Sequence, residues 1–187
     1  MNALRRALSR MAAYETPQIP TGGPYYHGAP VPRDQEISEQ GGLSSAARGE
    51  QLKGTRDEHG LLWVTEDYDL AYSHAWENGQ PGTVFRVEVP ELLPVDRNVV
   101  LSAEQAATLD AVNMRSHYDP IDDETTLNQA MYRLLQHPSA PQTFAEILPS
   151  LGYNAIYDTS GIGVIADFLP IVEAVEPPED SMFFKDV

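Results

Sequence analysis

The chain has 187 residues, 28 acidic against 12 basic side chains, a formal charge of −16, and no cysteine. Zero cysteines exclude disulfides, zinc ribbons, iron–sulfur clusters and thiol catalysis, and the acidic balance works against broad contact with a nucleic-acid backbone. The length suits one domain, the 42% hydrophobic content suffices for a core, and no run reaches the ~20 apolar residues of a membrane span.

Residues 2–13 read as a short helix with Leu4, Leu8 and Met11 near one face. Its Arg5, Arg6 and Arg10 lack a following apolar region, so no secretory signal is expected and a soluble, cytoplasmic protein is. Pro17, Pro20, Gly22, Gly23 and Pro24 turn the next stretch into a linker, making 1–23 an N-terminal helix and linker. Tyr25-Tyr26-His27-Gly28 is a short aromatic strand. Residues 29–60 lack periodicity and read as a functional lid or a disordered loop. Leu61–Thr65 is the next strand. Thr65 is placed to cap a helix with Glu66, Asp67 and Asp69 in its first turn, running to about Asn78. Leu70 and His74, with Ala71 and Ala75, are expected on its inner face. Gly79–Gly82 then turns the chain into the alternating strand Thr83–Val89, which Pro90 ends.

Ser102, with Gln105 three residues on, opens a helix with a capping-box pattern. An acidic loop spans 117–124. The helix predicted over 124–136 carries Leu127, Met131, Leu134 and Leu135 on one stripe, and another over 143–150 stops at Gly152. Asn154–Tyr157, Gly163–Ala166 and Ile171–Val175 read as closely spaced antiparallel strands, followed by an acidic, proline-rich loose tail over 176–187. Strands, then helices, then strands point to an α+β domain over 24–175 with a helical insertion at about 100–150.

Taken alone, His27 reads as an ordinary core or surface histidine. No Gly-x-Gly-x-x-Gly, P-loop or Gly-x-Ser-x-Gly pattern occurs. The five histidines never fall at helical metal-ligand spacing, so no metal is expected. Asp67-Tyr-Asp69 lacks the rest of a calcium loop.

The combination is more specific than its parts. Tyr26-His27-Gly28, Leu62-Trp63-Val64-Thr65 leading into Ala71-Tyr72-Ser73-His74-Ala75, Gly152-Tyr153-Asn154-Ala155-Ile156, and Gly163-Val164-Ile165-Ala166-Asp167 together resemble the ADP-ribosyltransferase superfamily. The closer resemblance is to its His-Tyr-Glu branch, shared by diphtheria-like toxins and poly(ADP-ribose) polymerases. It covers roughly 24–90 and 151–175. Pro90, Val95-Asp96 and Ser102–Gln105 are similar to domains of phage polyvalent proteins, which suggests a bacterial or phage-encoded protein.

The resemblance implies split antiparallel sheets around an NAD cleft and transfer of one ADP-ribose from NAD to a protein target. It implies that Tyr26, His27, Gly28, Trp63, Thr65, Ala71 and His74 bind NAD. His27 would donate to the 2′-hydroxyl of the adenosine ribose, and the main chain at Gly28 would hold the nicotinamide carboxamide. Trp63 and His74 would sandwich the nicotinamide, with the small Ala71 lining the pocket. Aligning Val164–Asp167 places Ile162 where the family has its catalytic Glu, so chain extension is not expected. The related RNA 2′-phosphotransferase branch needs basic side chains near His27 that this chain lacks. Two other readings remain open: a catalytically inactive module of the same fold, and an acidic virion-associated interaction protein.

Overall fold

The computed structural model describes residues 19–45, 61–113, 120–135 and 144–176. The helix expected at 2–13, residues 46–60 of the expected lid, and the tail beyond 176 lie outside the described residues. The described chain is a mixed α+β fold with five α-helices, two four-stranded sheets and a two-stranded ribbon. None of its helices is long and apolar enough to cross a membrane.

In the first sheet, β1 (Tyr25–Ala29) pairs β6 (Thr83–Val87), β6 pairs β10 (Phe168–Ala174), and β10 pairs β2 (Gly42–Ser44), all antiparallel. The second sheet runs β3 (Leu61–Val64), β9 (Gly161–Ile165), β8 (Ala155–Asp158) and β7 (Pro94–Asp96). Its pairs are antiparallel except β7–β8, which is parallel. The three expected C-terminal strands form, but they divide between the two sheets. β8 and β9 make a hairpin, but β3 already occupies the far edge of β9, so β10 crosses to the first sheet.

The sheets are stitched at one point. The Tyr26 N–H donates to the Thr65 carbonyl at 2.7 Å, and the Thr65 N–H donates back at 2.9 Å. Strand alternation then sorts the side chains between two cores. Leu62 and Val64 of β3, with Ile162 and Val164 of β9, join Phe85, Val87 and Leu169 in a cluster between the sheets. Leu61 and Ile156 point the other way, into a cluster shared with the helical layer.

That layer contains α3 (Ala103–Asn113), α4 (Leu127–Leu135) and α5 (Phe144–Ile147), which tightens into a 3-10 turn over Leu148–Leu151. The capping box forms as its spacing requires. The Ser102 N–H donates to Gln105 Oε1 at 3.0 Å, and the Gln105 N–H donates to Ser102 Oγ at 3.2 Å. The stripe of α4 is buried throughout, with Leu127, Met131 and Leu134 at 0% exposure. Gly152 ends the last turn at φ 86°, a left-handed conformation that suits glycine.

Two expectations are corrected. The segment 29–60 is not structureless where it is described: it holds α1 (Arg33–Gln40) and β2. Only Ile37 of α1 is buried, so no apolar stripe marks the helix in the sequence. The helix after β3, α2, covers Tyr68–Ala75 and stops short of Asn78. Trp76–Glu77 leaves it to form β4, which pairs with β5 (Gln80–Pro81). Asp67, not Thr65, is its N-cap, accepting from the Leu70 N–H at 3.1 Å. Its buried residues are Ala71, Tyr72 and Ala75, whereas His74 is exposed and Leu70 half-buried.

Candidate functional site

A cavity of about 350 Å³ lies between β1, the end of β3 and α2. Tyr26, His27, Gly28, Trp63, Thr65, Ala71 and His74, separated by up to 48 positions, all line it. Three elements converge because the Tyr26–Thr65 bridge sets β1 beside β3, and α2 begins three residues after that bridge.

His27 is oriented by the main chain. Its Nδ1–H donates to the Trp63 carbonyl at 2.8 Å, since a carbonyl only accepts. In the neutral ring the other nitrogen, Nε2, is then an acceptor. A ribose hydroxyl would donate to Nε2 of the neutral ring. The donation by His27 that the resemblance implies would require the imidazolium.

Gly28 meets two constraints at once. A Cβ built on it would sit 1.7 Å from the Ala71 carbonyl oxygen and 2.9 Å from the Ala75 nitrogen, so its side-chain direction is filled by the α2 backbone. Its main chain has another direction. In a regular antiparallel strand, alternate residues aim their N–H and C=O at the same edge. Tyr26 uses that edge to pair with Thr65, so Gly28, two residues on in an unbroken register with β6, aims its polar groups along the same edge. That edge borders the cavity.

Trp63 lies directly across from Gly163. A Cβ on Gly163 would stand 3.3 Å from the indole, so the glycine gives the ring a floor. The indole packs partly on the helical-layer core, and its Nε1–H is buried without a partner among the described residues. Thr65 is 8% exposed, and its Oγ1 accepts from the Asp67 N–H at 3.1 Å. Ala71 is buried, and His74 stands on the exposed side of α2 at the cavity wall.

The cavity also takes residues that sequence reasoning did not assign, notably Arg33 from α1 and Ser160 from the turn between β8 and β9. The segment holding Arg33 shows no apolar period, and nothing marks Ser160 apart from its place in a turn. No carboxylate stands among the described lining residues, although the chain carries 28. Two carboxylates directly follow lining residues in sequence: Asp34 Oδ2 accepts from the Thr83 hydroxyl at 2.9 Å, and Glu66 Oε1 accepts backbone N–H groups of Thr21, Gly22 and Gly23 at 2.8, 3.0 and 2.9 Å.

Ile162 does not join the cavity. It is 4% exposed in the cluster between the sheets and sits opposite Val64. Trp63 and Gly163 occupy the alternate positions of the same two strands, so their faces are opposed to that of Ile162. A side chain at 162 therefore points into the apolar core between the sheets.

An aromatic series extends from the cavity along α2. Tyr26 meets Tyr68 edge-on at 5.9 Å, Tyr68 stacks on Tyr72 at 6.2 Å, and Tyr72 meets Trp76 at 6.1 Å. The i, i+4, i+8 spacing of Tyr68, Tyr72 and Trp76 was a legible signal. Burial, reinforced by the neighbouring Tyr72 and Asp69, pushes the Tyr68 hydroxyl up to about 12, so it stays protonated.

Comparison with protein-family models, with curated proteins and with solved structures finds no match to this chain.

Proposed function

We propose that the cavity binds NAD as a substrate and that the protein transfers a single ADP-ribose unit from it to a macromolecular acceptor. The observation that carries the reading is the gathering of Tyr26, His27, Gly28, Trp63, Thr65, Ala71 and His74 around one cavity. About 350 Å³ lies at the lower end of the ~300–1,000 Å³ of ligand pockets, which suits the nicotinamide riboside end of the dinucleotide. The edge groups of Gly28 match the donor and acceptor of a carboxamide. The Trp63 indole offers a flat stacking surface, and Arg33 supplies a cation on the wall for a pyrophosphate.

In this reading catalysis is mostly positioning. His27, held by the Trp63 carbonyl, fixes a ribose hydroxyl through Nε2. Nicotinamide leaves as a neutral molecule, and the positive charge that develops on the ribose is favoured by the field of a chain of charge −16. Without a carboxylate among the described lining residues, elongation of the product is not expected, and general-base assistance worth ~10²–10⁴ in rate has to come from the acceptor's own surroundings.

A second reading, an NAD-binding module without transferase activity, is favoured by that same carboxylate-free wall. One experiment separates the two. NAD is titrated while tryptophan fluorescence is followed, and lysate incubated with labelled NAD is analysed by mass spectrometry, with His27→Ala as control. Saturable quenching that is lost in Trp63→Phe and kept in Trp76→Phe, together with single ADP-ribose adducts absent from the control, supports transfer. Quenching without adducts leaves the binding module, and neither signal overturns both readings.

A further inference from the structure

The wall of the cavity presents three side-chain hydroxyls: Tyr26, Thr65 and Ser160. Thr65 is buried and accepts from the backbone of Asp67. Tyr26 is a half-buried phenol engaged edge-on with Tyr68. Ser160 differs in being both exposed and held by a carboxylate. Its Oγ–H donates to Asp158 Oδ1, which also accepts the Ser160 N–H at 2.7 Å.

Asp158 is itself held in place. Its Oδ2 accepts from Arg97 Nη1 at 3.0 Å, with the two side chains 12% and 19% exposed respectively. Arg97 is in turn fixed by Asn128 through Nε at 2.8 Å and lies over the Phe144 ring. A serine hydroxyl bonded to a carboxylate that a guanidinium anchors from behind is a nucleophile with its proton acceptor already in place. Asp158 ends β8 and Ser160 lies in the turn that leads into β9, so the pair stands at the hairpin beside the cavity.

From this arrangement we infer that Ser160 is an acceptor for ADP-ribose, so that the protein modifies itself at the mouth of its own cleft; the inference rests on the NAD reading above. The bond between nicotinamide and ribose C1′ breaks, and its electron pair returns to the ring nitrogen, releasing neutral nicotinamide. Ser160 Oγ bonds to C1′, and its proton passes to the Asp158 carboxylate and then to water. No further reactant is needed. An acceptor tethered to the cavity wall avoids the entropic cost of a bimolecular encounter, so self-modification proceeds without any target protein. An occupied Ser160 would then narrow the cavity that it lines and limit further turnover.

The test uses the purified 187-residue chain. Calorimetry measures NAD binding, while intact-mass analysis and peptide mapping follow the chain incubated with NAD in the absence of other protein. The expected result is one ADP-ribose per chain, mapped to Ser160, with nicotinamide released in equal amount. Ser160→Ala should remove the adduct, and this variant leaves the Asp158–Arg97 pair in place, so loss of the adduct is not loss of the fold. Ser160→Thr should restore it in part. Asp158→Asn, checked for folding by circular dichroism, should slow its formation at least tenfold. Bound NAD with no adduct, or with the adduct on another residue, overturns this inference and leaves the proposed function standing. Absence of NAD binding overturns both.

Discussion

Gly28 shows how a residue can be required for two unrelated reasons. Its main chain borders the cavity, but its missing side chain is required by α2, whose Ala71 carbonyl oxygen occupies the Cβ position at 1.7 Å. Gly28→Ala should therefore unfold or displace α2, at a cost of at least about 3 kcal/mol in urea denaturation, with or without ligand. A purely ligand-binding glycine would leave the melting curve of the free protein unchanged. Ile162 makes the opposite case. A glutamate there would lie between the sheets among apolar side chains, and keeping it neutral at pH 7 costs about 4 kcal/mol from an ordinary carboxyl. Ile162→Glu should lower the melting temperature and regain stability as the pH falls. A variant as stable as the parent, with faster NAD hydrolysis, would return position 162 to the active wall.

At the scale of elements, the carboxylate of Glu66 ties the segment before β1 to the start of α2. Partial burial pushes its pKa up, but the N–H groups of Gly23, Thr21 and Gly22 and the Thr21 hydroxyl outweigh this and hold it below the usual carboxylate range. A depressed folded-state pKa contributes stability that is present above the ordinary carboxyl value and lost as pH falls through the folded-state value. The tie should therefore persist at pH 5–7 and release only in acid below the ordinary glutamate pKa of about 4.3. Amide hydrogen exchange at Thr21, Gly22 and Gly23 measures this directly: these amides should be protected at neutral pH and lose protection in Glu66→Gln. Equal protection in that variant would show that the carboxylate charge does not hold the segment. The tie meets the chain one residue from the Tyr26–Thr65 bridge, so it also steadies one corner of the cavity.

For the whole molecule, Arg97 is the seam between the helical layer and the second sheet. Its backbone N–H donates to Tyr157 of β8 at 3.0 Å, its carbonyl accepts from Asn128 of α4 at 2.9 Å, and its guanidinium reaches Asp158 and lies 5.5 Å from the Phe144 ring centre. Removing one partner of a largely buried pair leaves the other uncompensated, so Arg97→Ala should cost about 2–4 kcal/mol. Circular dichroism of the helices and Trp63 fluorescence in the sheet should still report one coincident transition, because the apolar cluster joining them is continuous. Separate transitions in the variant would show that the helical layer folds by itself. Asp158 lies at the end of this seam, so its carboxylate reaches Ser160 with an orientation set by the helices as well as by its own turn.

The sequence by itself determined what depends on near neighbours. The stripe of Leu127, Met131 and Leu134 places α4, Ser102 and Gln105 start α3, and Tyr25–Gly28 and Leu61–Val64 form strands. Periodicity and capping act within a few residues, so they can be read there. Of the residues expected around a common ligand, Tyr26, His27, Gly28, Trp63, Thr65, Ala71 and His74 line one cavity, whereas Ile162 lies in the core. The tertiary structure alone decided which edges were open. β10 paired in the first sheet because β3 had filled the edge of β9, and α1 formed with one buried side chain that no pattern announces. It also decided direction: a one-residue step along β9 separates the face of Gly163, beneath Trp63, from the face of Ile162, inside the core. A strand's period of two gives alternation but not which side is in, because that depends on the elements packed against each face.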